Sequence, residues 1–106
     1  MKIKVYIDGK QKSCKANGIY DTETNNLIVK KNSIIVPHVN ENIRIAKTVN
    51  RYWNDEKYVK NRKVLQDIEF TSPTTAAQFV LDSVVNGKKR WKLENGLTLS
   101  DYIKKL

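Results

Sequence analysis

Ile3, Val5 and Ile7 alternate with Lys2, Lys4 and Tyr6, the period-two pattern of a strand that buries one face. The Asp8-Gly9 pair that follows predicts a hairpin turn. A second strand is expected from about Ser13 to Tyr20, with a bulge or bend at Asn17-Gly18. Thr24-Asn25-Asn26 predicts another turn and Leu27-Ile28-Val29 a third strand. Asn32-Ser33 then turns the chain into Ile34-Ile35-Val36, a fourth strand stopped by Pro37. Residues 1–37 therefore read as an antiparallel meander.

The period changes after that. Asn40 is placed to cap a helix, and Ile43, Ala46, Val49 and Trp53 recur at helical spacing over about 40–54. Arg44, Lys47 and Arg51 fall on its other sides, and Asn54-Asp55 ends it. Tyr58-Val59, Val64-Leu65 and Ile68 read as short extended pieces around a basic Lys60-Asn61-Arg62-Lys63 turn. Ser72 as N-cap with Pro73 at the first helical position opens a helix over about 72–86, with Ala76, Phe79, Val80 and Val84 as its buried stripe. Asn86-Gly87 is expected to end it, Gly87 taking the left-handed cap. Lys88 to Leu93 reads as a strand, Glu94-Asn95-Gly96 as a tight turn, and Leu99, Tyr102 and Ile103 as a short terminal helix. The pattern gives a single α+β domain, a small antiparallel sheet of about four to five strands with two to three helices, with no linker and no repeat.

A chain of 106 residues suffices for one modest core, burying roughly two-thirds of its unfolded surface. No apolar stretch approaches a membrane span of about 18 residues, and charges interrupt the N-terminal apolar run, so a cytoplasmic protein is expected. Twenty Lys and Arg against 11 Asp and Glu give a net charge of +9. The excess is uneven: residues 64–86 hold no Lys or Arg, whereas each segment flanking them is basic. Such a surface favours a polyanion, with nucleic acid first, an acidic protein second and a membrane surface third. A solvated lysine-rich surface accounts for the same composition.

The chemistry of catalysis is missing from the pattern. One cysteine, Cys14, and one histidine, His38, supply neither a disulfide nor a usual zinc set. No phosphate-binding glycine loop is present, and the carboxylates are scattered. Gly18-Ile19-Tyr20 spells half of a GIY-YIG nuclease signature, but its partner strand motif is missing. No catalytic residue, metal or cofactor is expected.

Three groups of residues suit binding instead. Lys88, Lys89, Arg90 and Lys92 surround Trp91, so that cations could meet phosphates while the ring either stacks on a base or enters the core. Ser72 and Thr74 at a helix start offer hydroxyls and free N–H groups, which capping also explains. Arg44, Lys47 and Arg51 form a basic helix face, the third group.

The run Phe70-Thr71-Ser72-Pro73-Thr74-Thr75-Ala76-Ala77, with Asn86-Gly87, Trp91-Lys92, Gly96 and Leu99, resembles the bacterial family of domain of unknown function 4357. That family's pattern is an aromatic, Ser-Pro-Ser-Ala-Ala, Asn-Gly, and a Trp before Gly-x-x-Leu. Upstream, Ala16-x-Gly18-Ile19-Tyr20, Leu27-Ile28-Val29-Lys30-Lys31 and Asn32-Ser33 are similar to the family's small-x-Gly element, strand and turn. A similar pattern marks the restriction-enzyme and adenine-methylase associated (RAMA) domain, whose members are fused to GIY-YIG nucleases, restriction enzymes and DNA methylases. The resemblance implies a non-catalytic module that recognises DNA, plain or modified, beside a nuclease or methylase. Three positions depart from the family, Asp82-Ser83 standing where Gly-Arg is usual and Lys88 where an aromatic is, and the segment between Trp53 and Phe70 is shorter than usual. Residues 1–106 include no catalytic domain, as expected of a stand-alone module, one from a mobile element or phage, or an excised piece. The reading is a nucleic-acid-binding accessory module, DNA before RNA, in a restriction-modification, nuclease or phage-defence setting. The alternative is a protein-interaction module whose basic face binds an acidic protein.

Overall fold

A computed structural model describes residues 1–9, 14–36, 47–83 and 85–105. Strands β1 (Lys2–Gly9) and β2 (Cys14–Asp21) pair antiparallel without a break, from Lys2↔Asp21 to Gly9↔Cys14. Asp8 and Gly9 therefore lie within the strand rather than in the turn, and Asn17-Gly18 forms no bulge. The connection itself, residues 10–13, lies outside the described residues.

Strand β3 (Leu27–Val29) pairs with β2 after a turn in which Asn25 takes a positive φ of 65° and its Oδ1 accepts the Tyr20 hydroxyl at 2.8 Å. The fourth strand of the sheet is not Ile34-Ile35-Val36. It is β6 (Ile68–Phe70), paired antiparallel on the far side of β3 with Leu27 opposite Phe70. Residues 34–36 instead divide their hydrogen bonds among three partners. Ile34 bonds Lys15, the Ile35 N–H donates to the Arg62 carbonyl, and the Val36 N–H donates to the Val80 carbonyl. A segment shared among three neighbours cannot form one continuous ladder. Pro37, His38 and Asn40 lie outside the described residues.

Helix α1 (Lys47–Trp53) buries Val49 and Trp53; residues 40–46, with Arg44, Ile43 and Ala46, are outside the description. Strands β4 (Val59–Lys60) and β5 (Lys63–Val64) form the hairpin expected around Asn61-Arg62. Helix α2 (Pro73–Leu81) opens with the Ser72 Oγ accepting the Thr75 N–H. It ends well short of residue 86, because Asp82 adopts the left-handed conformation (φ 52°) and returns its N–H to the Gln78 carbonyl. Two further helices follow, α3 (Gly87–Arg90) and α4 (Leu99–Lys104), the latter started by a Thr98/Asp101 capping box. Among the described residues, four helices thus accompany a four-stranded antiparallel sheet and a two-stranded one, an α+β architecture.

The expected strand at Lys88–Leu93 is mostly that helix α3, with the Trp91 N–H donating to the Gly87 carbonyl. Lys92 alone joins the sheet, exchanging both backbone hydrogen bonds with Tyr6 on the free edge of β1. The turn at Glu94-Asn95-Gly96 is present, with Gly96 at φ 87°.

One sheet face carries the core. Val5, Ile7, Ala16, Tyr20, Leu27, Val29, Ile68 and Phe70 point inward and are buried. Across them lies α2, whose Ala76, Phe79 and Val80 are fully buried. Phe79 sits 5.2 Å from Phe70 and stacks on Trp53 at 6.3 Å, while the Trp53 Nε1 donates to the Phe79 carbonyl. Among the described residues no helix is long and apolar enough to cross a membrane.

Candidate nucleic-acid interface

Trp91 organises the C-terminal end of the domain. Its ring is fully buried against Gly18, whose own Cβ would stand 3.3 Å from the ring and 2.9 Å from Leu27. The indole Nε1 donates to the Pro73 carbonyl at 3.0 Å. The core reading of Trp91 holds, so the ring does not stack on a ligand. Its neighbours are pushed outward as a consequence: Lys89, Arg90 and Lys92 are exposed and Lys88 is half-buried.

Lys89, Arg90 and Lys92 come together on one groove of about 620 Å³ with Tyr6, Asp8 and Gly9 of β1. Lys92 is fixed there by its backbone pairing with Tyr6, and the two side chains share the sheet face turned away from the core. Tyr6 was not among the sequence candidates. Its signal was the outward parity of Lys2, Lys4 and Tyr6. Three cations against one carboxylate, Asp8, give the groove a positive surplus. Among the described residues none of these cations forms an ion pair; the two ion pairs are Met1 with Glu23 and Lys30 with Asp67.

The other candidates fall elsewhere. Lys47 and Arg51 are on α1 and do not line this groove, and Arg44 lies outside the described residues. The Ser72 hydroxyl caps α2 and lies 3.0 Å from the Thr75 hydroxyl. The Thr74 hydroxyl accepts the Gly87 N–H at 3.2 Å. Both hydroxyls therefore serve the protein's own backbone. At the far end of the sheet, Lys30 donates to Asp67 at 2.8 Å, as does the Lys31 N–H. The Lys30 hydrogen bond, then that of Lys31, hold the Asp67 carboxyl below the usual carboxylate range.

Among the described residues no three His, Cys, Asp or Glu side chains cluster as a metal would require. The arrangement's chemistry is that of anion binding: an Arg fork and two ammonium groups on an open groove suit phosphate oxygens.

No curated protein and no solved structure matches the chain. The family model of a domain of unknown function, DUF4357, matches residues 5–103. That match takes in the inner sheet, α2, the Trp91 seat and the groove, and the chain belongs to the DUF4357 family.

Proposed function

We propose that this chain is a non-catalytic accessory module that binds nucleic acid, DNA before RNA, in a restriction-modification, nuclease or phage-defence setting. One observation carries the reading: Lys89, Arg90 and Lys92 converge with Tyr6 on a single groove and, among the described residues, no carboxylate pairs with them. The segment that holds them is short and anchored at both ends, by Gly87 seated on Pro73-Thr74 and by the buried Trp91 with the Lys92–Tyr6 pairing. An anchored backbone leaves only the side chains to be ordered on binding, which lowers the entropic cost of holding a polyanion there.

The test is fluorescence anisotropy with labelled duplex DNA, plain and adenine-methylated. Each phosphate contact contributes about 0.9 to the slope of log affinity against log salt. Three contacts contribute about 2.7 to that slope, an affinity loss of about 40-fold between roughly 50 and 200 mM salt, and Lys89→Ala/Arg90→Ala/Lys92→Ala should lower the slope by that amount. Tighter binding of the methylated duplex would assign modification sensing. No binding to either duplex at the lower salt refutes the DNA reading.

A further inference from the structure

A second basic surface lies on the opposite flank of the same sheet face. Strands β4 and β5 are joined by Asn61 and Arg62, both at positive φ (52° and 67°), the two-residue type I′ hairpin. Val64 is buried at 0% exposure, so the side chains of the pair Lys60↔Lys63 stand on the other side, both exposed and directly opposite each other. Like charges at opposed cross-strand positions repel and weaken the pairing that holds them. Lys63 is bridged to Ile34, Ile34 to Lys15, and Lys15 to Asp8 of β1. Side chains along such a row share a face, so Lys60, Lys63 and Lys15 stand in line on the outward face that also presents Tyr6 and Lys92. Asp8 is the single carboxylate of the row, and among the described residues none of the three lysines forms an ion pair.

We propose that the β4–β5 hairpin is a second backbone clamp for nucleic acid, in which Lys60 and Lys63, supported by Lys15, hold phosphates of the strand that the α3 groove engages. The proposal rests on the nucleic-acid reading above and extends it from a groove to a footprint. A phosphate between the two ammonium groups relieves the repulsion built into the hairpin, so the same feature that costs the free protein stability favours the occupied one. From Lys92 to Lys60 there are five strand-to-strand steps of about 4.8 Å, roughly 24 Å in all. That distance corresponds to about seven base steps of duplex at 3.4 Å each. The lysines at the two ends therefore suit one continuous polyanion.

The experiment compares the wild-type chain, Lys60→Gln/Lys63→Gln and Lys60→Arg/Lys63→Arg on one labelled duplex across roughly 50 to 200 mM salt. Loss of two phosphate contacts lowers the salt slope by about 1.8, so the affinity advantage of wild type over the Gln variant shrinks about 12-fold across that range. The Arg variant should bind like wild type, and the Gln variant should melt no lower than wild type, since a repulsion is removed. If wild type binds and the Gln variant keeps its affinity and slope, the hairpin clamp is overturned while the groove reading stands. If wild type does not bind, both fall.

Discussion

Close approach is what position 87 asks of its glycine; Gly87 does not take the expected left-handed conformation, which falls on Asp82 instead. A Cβ at this position would stand 2.2 Å from the Pro73 carbonyl oxygen and 2.3 Å from both its carbon and the Thr74 nitrogen. All three are backbone atoms of the first turn of α2, and ordinary contact needs about 3.5 Å. That turn is fixed by the Ser72 cap and the buried Pro73 ring, so α3 has to move. Movement pulls the Gly87 N–H from the Thr74 hydroxyl and the Trp91 Nε1 from the Pro73 carbonyl. Overpacking costs about 1–3 kcal/mol, and a buried carbonyl left unpaired costs about 1–3 kcal/mol more. Against these, alanine in a helix gains about 1 kcal/mol over glycine. The net expectation for Gly87→Ala is a loss of about 3 kcal/mol, which for a chain of this size lowers Tm by about 12 °C. Thermal and urea unfolding followed by circular dichroism and tryptophan fluorescence would measure it. Gly87→Asn separates the two explanations, because a left-handed cap tolerates asparagine and a steric seat does not. Unchanged or raised stability in Gly87→Ala, which helix propensity alone predicts, would refute the packing argument.

Two further substitutions test neighbouring claims. Trp91→Phe removes the Nε1 donor to Pro73 and part of the buried ring; a loss of about 2–4 kcal/mol in urea unfolding is expected, and an unchanged midpoint would show that the indole does not fasten α2 to the C-terminal segment. Asp67, with its carboxyl held below the usual range by Lys30 and then the Lys31 N–H, binds its proton more readily unfolded than folded. Its contribution is therefore present above the unfolded carboxylate value of about 4 and lost as pH falls through the folded one. In melts from neutral pH to about pH 2, the advantage of wild type over Asp67→Asn should begin to shrink near pH 4 and go on shrinking as the pH falls; an advantage constant across that range contradicts the assignment.

The fold was legible wherever a single local rule decided the outcome. The alternation in β1, the turn at Asn25, the Ser72-Pro73 helix start and the hairpin at Asn61-Arg62 each follow from neighbours in sequence. The failures share another cause. Ile34-Ile35-Val36 has the composition of a strand, yet its partners are distributed among Lys15, Arg62 and Val80, which no periodicity reveals. Ile68–Phe70 takes the fourth place because it reaches β3 from nearly forty residues away. Arg90–Leu93 alternates well enough to extend a strand over 88–93, but the burial of Trp91 and the seat of Gly87 on Pro73 require a helical turn. At the candidate site, the cations were readable from composition. Tyr6 and the row from Lys15 to Lys60 were not, because only strand register places them together.

The residues that carry the family resemblance form one mechanical unit. Gly18 makes room for the Trp91 ring, Pro73 accepts its Nε1–H, Gly87 lies against the same Pro73-Thr74 backbone, and Thr74 receives the Gly87 N–H. Asp82 occupies the left-handed position that ends α2, a conformation that glycine adopts freely and aspartate only tolerates. A signature composed of packing and cap positions specifies the fold and leaves the ligand to other residues. On the proposed reading the ligand falls to outward cations: Lys92 within the signature, Lys89 and Arg90 beside it, and Lys60 and Lys63 across the sheet. On the proposed reading, then, substitutions at the outward cations of this chain should change affinity, while substitutions at Gly18, Pro73, Gly87 or Trp91 should change stability.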